Sequence, residues 1–566
     1  MRGIPHRLFR ALCCLPLLLS GCGPKALPPP TANKPATATR PAEPAAPPLF
    51  VDVAAQVGLR YCWVIEGKRP LNILQSIGNG CAFLDYDNDG NLDILLVGPH
   101  LALYRGDGKG HFTDVTHATG LDRFQGHFQG CAVGDYDNDG YDDLYISAYR
   151  GGILLHNEAG HRFTDVTRSA GIAPQPWGSS CTFADLDGDG KLDLYIGNYV
   201  RFGPDTPQLC DIHGFKTSCG PVNYTAERGV LYRNLGFGKF QDVTHAEGLD
   251  RVSGKALGAA VAPFEDVQHP ALAIADDEVP SDLIRFHGSV GESMGAVSGM
   301  AVAGNGKVFG GMGIDWGDYD NDGRLDLVIA TYQNQAKGVF HNEGGVFAVQ
   351  DTARLGMFSS IPYVAFGAKW LDYDNDGWLD LMFANGHVQD NIADVDVFDG
   401  PGHGALYRQP ILLYHNLEGK RFSDESVHLQ GGAERRIVGR GLAIGDFDND
   451  GSMDALVVDG EGSPMLLHNV TPHPGNWALV RLEGRKCNRD GYGALVTVEV
   501  GGRRLVRHCH ADGSYLSSSD KRVHFGLGSA TKIDLLQVQW PDGQVDTARN
   551  VPVNRVLTAR EGSPPQ

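Results

Sequence analysis

Asp85-Tyr86-Asp87-Asn88-Asp89-Gly90-Asn91-Leu92-Asp93 sets carboxylates at positions 1, 3, 5 and 9 of a tight loop, with glycine at position 6. Oxygen donors at alternate positions of a sharp turn are what a hard cation such as Ca²⁺ requires. The pattern recurs at residues 135–143, 185–193, 318–326, 372–380 and 446–454. Six copies in register define a repeat protein, and the rest of the chain is organised by that period. The candidate ligands, with position 7 included, are Asp85, Asp87, Asp89, Asn91 and Asp93; Asp135, Asp137, Asp139, Tyr141 and Asp143; and Asp185, Asp187, Asp189, Lys191 and Asp193. The later copies supply Asp318, Asp320, Asp322, Arg324 and Asp326; Asp372, Asp374, Asp376, Trp378 and Asp380; and Asp446, Asp448, Asp450, Ser452 and Asp454. An EF-hand reading fails, because position 12 should be a bidentate Glu between helices. Here it is Leu96, Ile146, Ile196, Ile329, Phe383 or Val457, inside apolar runs that read as strands.

Each repeat has four strands and a loop: a strand entering the loop (Gly80–Asp85), the loop, an apolar strand (Leu92–Val97), a strand such as Leu154–Asn157, and a Phe-x-Asp-Val strand such as Phe112–Val115. Four short antiparallel strands repeated radially describe propeller blades. Between the third and fourth intact loops lies a degenerate copy, Leu257–Ala275, in which Pro263, Val267 and Ala271 replace the aspartates at positions 1, 5 and 9. It predicts a blade without a cation site and brings the count to seven. Phe50–Val53 is a fourth strand with no blade before it, and the last blade stops at Asn469 without one. Pairing the two closes the ring and removes an exposed sheet edge. The fold class expected is all-β: a seven-bladed propeller over residues 50–474, a small β domain over 475–561 and a short tail, 562–566.

The N-terminus reads as an export signal over residues 1–21, with Arg2, Arg7 and Arg10 before the apolar stretch Leu12–Leu19. Leu19-Ser-Gly-Cys22 resembles a bacterial lipobox, which implies lipidation of Cys22 and attachment to a membrane of the cell envelope, with the outer membrane favoured. Residues 22–49 are a Pro-rich tether. Export allows disulfides: Cys210 and Cys219 are the first candidate pair and Cys487 with Cys509 a weaker one, whereas Cys81, Cys131 and Cys181 occupy an apolar repeat slot and read as core thiols. The chain has 566 residues and a formal net charge of −20, which argues against nucleic acid as a partner.

The repeats resemble FG-GAP/VCBS repeats of integrin-type β-propellers. Asn488–Ala494, Phe525–Gly528 and Val538–Gly543 resemble the ASPIC/UnbV domain. Together with Gly311–Gly317 and Asn385–Val388, the combination resembles the cartilage acidic protein family and its bacterial relatives. The resemblance implies a calcium-binding, extracytoplasmic propeller with about six structural Ca²⁺ sites, and implies little about activity.

Topology puts the Asp loops on one face of the disc, and the insertions Tyr199–Arg228 and Gly386–Gln409 on the other. Phe124, Phe128, Trp177, Tyr199, Phe202, Tyr363 and His387 fall in segments of that second face and form the candidate ligand face; the alternative is that the aromatics pack the insertions onto the disc. Asp315 and Lys369 occupy equivalent slots in adjacent blades and are expected to pair. His156, His341, His415 and His468 share one slot, with Arg233 in the third blade, and read as a turn position; His508 and His510 share a strand face, expected to be solvated unless they bind a transition metal. No Ser/His/Asp, CxxC or phosphate-loop constellation is present. The function expected is therefore adhesion to, or recognition of, a protein or glycan by a calcium-stabilised propeller; the alternative is an enzyme acting on an extracellular polysaccharide through the insertion-bearing face.

Overall fold

The computed structural model describes residues 47–395, 406–429 and 435–566, and Pro47–Gln566 forms one compact unit. The leader, Cys22, the tether up to residue 46 and part of the second insertion lie outside the described residues. Among the described residues no helix is long and apolar enough to cross a membrane.

The repeats fold into antiparallel sheets of four strands, one per repeat, here called blades one to seven. In blade one the strands are Cys81–Leu84, Asp93–Leu96, Ala102–Gly106 and Phe112–Asp114. The first two are buried throughout, as expected of apolar runs sandwiched between neighbouring blades. The outermost strand buries only Phe112 and exposes Thr113 and Asp114. Blades two and three join through Gln175↔Gly151 and Trp177↔Tyr149. The degenerate repeat forms a full blade, Ala256–Pro263, Pro270–Asp276, Asp282–His287 and Val290–Ser293. Losing the aspartates therefore removed the cation loop and left the strands intact.

Phe50–Asp52 completes blade seven, with Phe50 opposite Asn469 and Asp52 opposite Leu467. Cys210 and Cys219 form the expected disulfide. Cys487 and Cys509 are free thiols, so the second suggested pair does not form; Cys81, Cys131 and Cys181 are buried and free.

Residues 476–560 build two sheets. Asn476–Glu483 pairs with Val523–Gly528 and, in parallel, with Arg555–Arg560. Leu495–Val500 lies between Arg503–His508 and Lys532–Gln539, and Val545–Pro552 forms the outer edge. Gly501 and Gly502, with φ of 57° and 81°, turn the expected hairpin.

This domain roofs the Asp-loop face. Arg481 donates to Asn88 Oδ1, the Asp135 N–H to Asp490 Oδ2 at 2.8 Å, and Arg503 to the Asp376 carbonyl at 2.8 Å. From it the segment Ala511–Asp520 descends into the central channel and touches the innermost strand of every blade. Ile314 and Ser514 exchange both backbone hydrogen bonds; the Cys131 N–H donates to the Leu516 carbonyl and the Phe83 N–H to the Ser518 carbonyl. Thr182 Oγ1 and the Val261 N–H donate to Asp512 Oδ2, Lys369 Nζ to the Asp512 carbonyl, and the Asp520 N–H to the Ile444 carbonyl. Tyr515, at the far end, donates its hydroxyl to the Ile77 carbonyl and packs 4.8 Å from Phe366. The channel is thus filled by the chain itself. Six of the innermost strands shift register near their glycines, for example between Phe128 and Cys131, and so bend around this plug.

Candidate metal loops and recognition face

The six loops share one hydrogen-bond plan. In five of them both oxygens of the position-1 carboxylate turn the loop onto itself, as Asp85 does by accepting from the N–H groups of Asp89 at 2.9 Å and Gly90 at 3.0 Å; in blade five only Asp318 Oδ2 does so, from Gly323 at 3.1 Å. The position-6 glycines have φ between 83° and 98°, the left-handed region that a side chain would resist. Position 5 accepts from the backbone of position 7, as Asp139 does from Tyr141 at 2.9 Å, which explains why position 7 varies freely in side chain. Position 9 is fully buried and ties the loop to the blade: Asp143 Oδ1 accepts from the Asn157 N–H at 2.7 Å, and Asp93 Oδ2 from Tyr86 at 2.9 Å. Asn at position 4 adopts a left-handed φ, 62° at Asn138, and its amide reaches the next blade, as Asn138 does to the Gly190 carbonyl at 3.2 Å.

The residues fit a divalent cation. Every side-chain donor at positions 1, 3, 5 and 9 is a carboxylate, and Asp87 Oδ1, Asp143 Oδ2, Asp318 Oδ1 and Asp448 Oδ1 are buried without a hydrogen-bond partner. Burial pushes the carboxyls of Asp93 and Asp446 up to about 8 and those of Asp143 and Asp454 up to about 7, in each case helped by neighbouring aspartates. Such groups gain most from a cation that offsets their desolvation.

A basic residue from the third strand faces each loop, a feature the repeat alignment read only as a turn. His156 Nδ1 lies 3.2 Å from Asp143 and 3.4 Å from Asp137. His341, His415 and His468 sit 3.2, 3.1 and 3.1 Å from Asp326, Asp380 and Asp454. Arg105 fills the slot in blade one, 2.6 Å from Asp87 and 2.8 Å from Asp89. Arg233 fills it in blade three, buried against Asp187, Asp193 and Glu247. The asparagine that follows this residue in blades two, three, six and seven staples blades together: Asn157 donates to the Tyr86 carbonyl of blade one and Asn469 to the Tyr373 carbonyl of blade six, whereas Asn342 of blade five bonds within its own blade. The His-Asn repetition was the visible signal; its direction, toward the loop, was not.

The candidate ligand face needs correction. Trp177, Tyr199 and Phe128 are buried, and Phe124, Phe202 and Tyr363 are half-buried. Trp177 stands edge-on to Tyr149, Tyr199 and Phe202, and Phe202 to Tyr224, so these rings pack the first insertion onto the disc. Burial outweighs display because each ring removes a large apolar area from water. His387 is also buried: Nδ1 accepts from the Gln389 N–H at 3.0 Å, and burial beside Arg440 pulls its imidazole down to about 3. Arg440, equally buried, donates to the carbonyls of Ser76, Gly386, Gly439 and His387 and lies 4.1 Å over the Phe366 ring, closing this end of the channel. What the face does expose is a cleft of about 240 Å³ whose lining includes Val64, Leu74, Gln75, Asn79, His127 and Gln129.

Comparison with known proteins agrees with this architecture. The FG-GAP-like repeat family matches residues 85–146, 135–196, 318–383 and 372–457, and the ASPIC and UnbV family matches 484–566. Cartilage acidic protein 1 of Xenopus tropicalis is 28% identical over 247 residues, and that of Homo sapiens 25% over 249. These stretches cover 42% and 43% of this chain but only 34% of each relative, so the chain spans about a third of the curated relatives it matches. Among solved structures, a lectin from Burkholderia pseudomallei aligns with 69% of the chain and 95% of its own at 8% identity and a TM-score of 0.42. An Agrocybe aegerita lectin that recognises non-reducing terminal N-acetylglucosamine aligns with 61% of this chain and 79% of its own at 16% identity and a TM-score of 0.38. Likeness at that level carries no argument about ligands. With Asp-loop repeats before it and the matching terminal module behind, the chain belongs to the FG-GAP-repeat β-propellers with a C-terminal ASPIC/UnbV domain, the family of the cartilage acidic proteins.

Proposed function

We propose that this protein is an exported recognition module, anchored through a lipid on Cys22, whose Asp loops bind Ca²⁺ and whose insertion-bearing face contacts a protein or glycan. One observation carries the choice of face. The terminal domain covers the Asp-loop side and its plug fills the channel, while the opposite side keeps the cleft beside His127 open. Export is supported by the Cys210–Cys219 disulfide, a bond rarely kept in reducing compartments. Calcium is supported by the carboxylate donor sets and their unpartnered buried oxygens; bound there, the ion would supply positive charge that holds each loop closed. Blades one and three differ, because Arg105 already sets a fixed guanidinium against Asp87 and Asp89, and Arg233, buried, against Asp187 and Asp193.

A glycan and surface-protein binding array on the purified protein, with and without Ca²⁺, tests the reading. The expected result is a Ca²⁺-dependent ligand whose binding is lost in His127→Ala while the melting temperature is kept. Binding that survives His127→Ala and is lost instead on changes to the Asp-loop side would overturn the choice of face. Turnover of a polysaccharide in the same screen would replace recognition by catalysis.

A further inference from the structure

We propose that His508 and His510 form a transition-metal site, chemically separate from the Asp loops, for a borderline divalent cation such as Zn²⁺ or Cu²⁺. The pair lies where the strand Arg503–His508 runs into the channel plug. Two residues apart in extended backbone, their side chains project to one side. The rings stack with centroids 3.9 Å apart and planes 11° from parallel. Sequence alone suggested a solvated strand face; instead His508 is 5% exposed and His510 retains 19% of its side-chain surface.

Three features make the pair a ligand set rather than packing. His510 Nδ1 lies 3.0 Å from Asp512 Oδ1, and a carboxylate there holds the proton on Nδ1 and leaves the Nε2 lone pair free, the usual support of a metal-bound imidazole. His508 Nε2 is buried and has no hydrogen-bond partner. Both residues line a chamber of about 90 Å³ that also presents the carboxylates of Asp315 and Asp520, with room for an ion and about two waters. Three of the neighbouring cations are matched by carboxylates, Lys369 by Asp315, Arg522 by Asp520, and Lys521 by Asp142 and Asp490, whereas buried Arg507 donates to Asn321 Oδ1 and to the Val506 and Gly377 carbonyls. Burial, with Lys369 nearby, holds both imidazoles well below their ordinary range, which keeps them neutral as ligands must be. Imidazole nitrogen selects Zn²⁺, Cu²⁺ or Ni²⁺ over Ca²⁺.

Other groups compete for such an ion: Cys487, Asp542 and Glu561 converge, and so do loop carboxylates with the histidine that faces them, such as Asp137, Asp139 and His156. The test therefore uses the untagged full-length chain, stripped of metal and then saturated with Ca²⁺ so that the loops are filled. Zn²⁺ titrated by calorimetry is expected to bind at one site per chain, with affinity reduced at least about tenfold in His508→Gln and His510→Gln and unchanged in Cys487→Ser. Cu²⁺ bound to the unaltered protein is expected to show hyperfine coupling to two imidazole nitrogens, a readout that does not depend on the variants folding. Absence of Zn²⁺ binding in Ca²⁺, loss of binding in Cys487→Ser instead, or a Cu²⁺ spectrum without nitrogen coupling would each overturn the proposal.

Discussion

Two buried lysines show how differently one residue type is accommodated. Lys369 Nζ sits 2.7 Å from Asp315 Oδ1, the second oxygen of Asp315 accepts from the Trp370 N–H at 3.0 Å, and both side chains are 2% exposed. The pair is fully desolvated, so breaking it leaves an uncompensated charge. Lys369→Met is expected to lower the unfolding free energy by about 3–5 kcal/mol, and the double change with Asp315→Asn by clearly less, since the double variant leaves no orphan charge. Equal losses in urea titrations of the two proteins would show that the pair is not coupled. Lys337 has no carboxylate: Nζ donates to the carbonyls of Thr331 at 2.9 Å and Tyr363 at 2.7 Å, and burial brings its pKa from 10.5 down to about 7. Below pH 7 both folded and unfolded chains hold that proton; between about 7 and 10.5 only the unfolded chain does. Its contribution to stability therefore rises with pH, by up to about 1.4 kcal/mol per unit. Relative to Lys337→Met, the unaltered protein should gain stability between pH 7 and pH 9; parallel pH profiles of the two would refute the shift.

At the scale of elements, ring closure rests on a three-residue strand. Phe50 is fully buried, faces Asn469 across the sheet and lies 6.1 Å from Tyr373 in the neighbouring blade. Phe50→Ala should cost about 3–5 kcal/mol, far more than an outer-strand change such as Thr113→Ala, and an equal effect of the two on the denaturation midpoint would mean that closure does not depend on this strand. That strand was legible in the sequence because a repeat lacking its fourth strand predicts where the missing one must come from. The Asp315–Lys369 contact was legible for the same reason, since a fixed period turns sequence offsets into spatial neighbours; the disulfide was legible because its cysteines lie nine apart in one Pro/Gly-rich insertion. The plug was not. Ala511–Asp520 reads locally as a polar loop, and only the ring of small residues one place before the Cys81 slot, such as Gly80 and Gly130, marks its path. A Cβ on Gly80 would meet the Leu516 carbonyl oxygen at 1.7 Å, and one on Gly130 would meet the Leu516 Cα at 2.9 Å. Of the two readings of the insertion aromatics, packing onto the disc holds, because aromatic residues in a long insertion satisfy burial first, and sequence does not reveal which way an insertion folds back. The basic slot opposite each loop was misread because position within a repeat gives no side-chain direction.

For the whole molecule, propeller and terminal domain share their interior. The apolar cluster around Phe183 and Phe240 continues into Val480, Val496 and Phe525 of the terminal domain, and the plug satisfies backbone groups of the channel at Cys81, Phe83, Cys131 and Ile314. Removing residues 475–566 would expose that apolar surface and leave those N–H and C=O groups to water in a ring with no filling. The propeller alone is therefore expected not to accumulate as a stable folded species, and the intact protein to melt in a single transition. Calcium should act on that one transition. An ion that binds only the folded chain adds RT ln(1 + [Ca²⁺]/Kd), about 1.4 kcal/mol per filled loop at tenfold excess over Kd. Contributions from several loops add if the loops act independently, so chelation is expected to lower the melting temperature of the whole molecule while leaving it one event. The Asp187→Asn change in blade three, where Arg233 already supplies the charge, should shrink the calcium-dependent part of that shift less than Asp137→Asn in blade two. A second, calcium-insensitive transition in calorimetry would separate the terminal domain from the propeller. An unchanged melting temperature in excess chelator would mean that the loops are held closed without the ion.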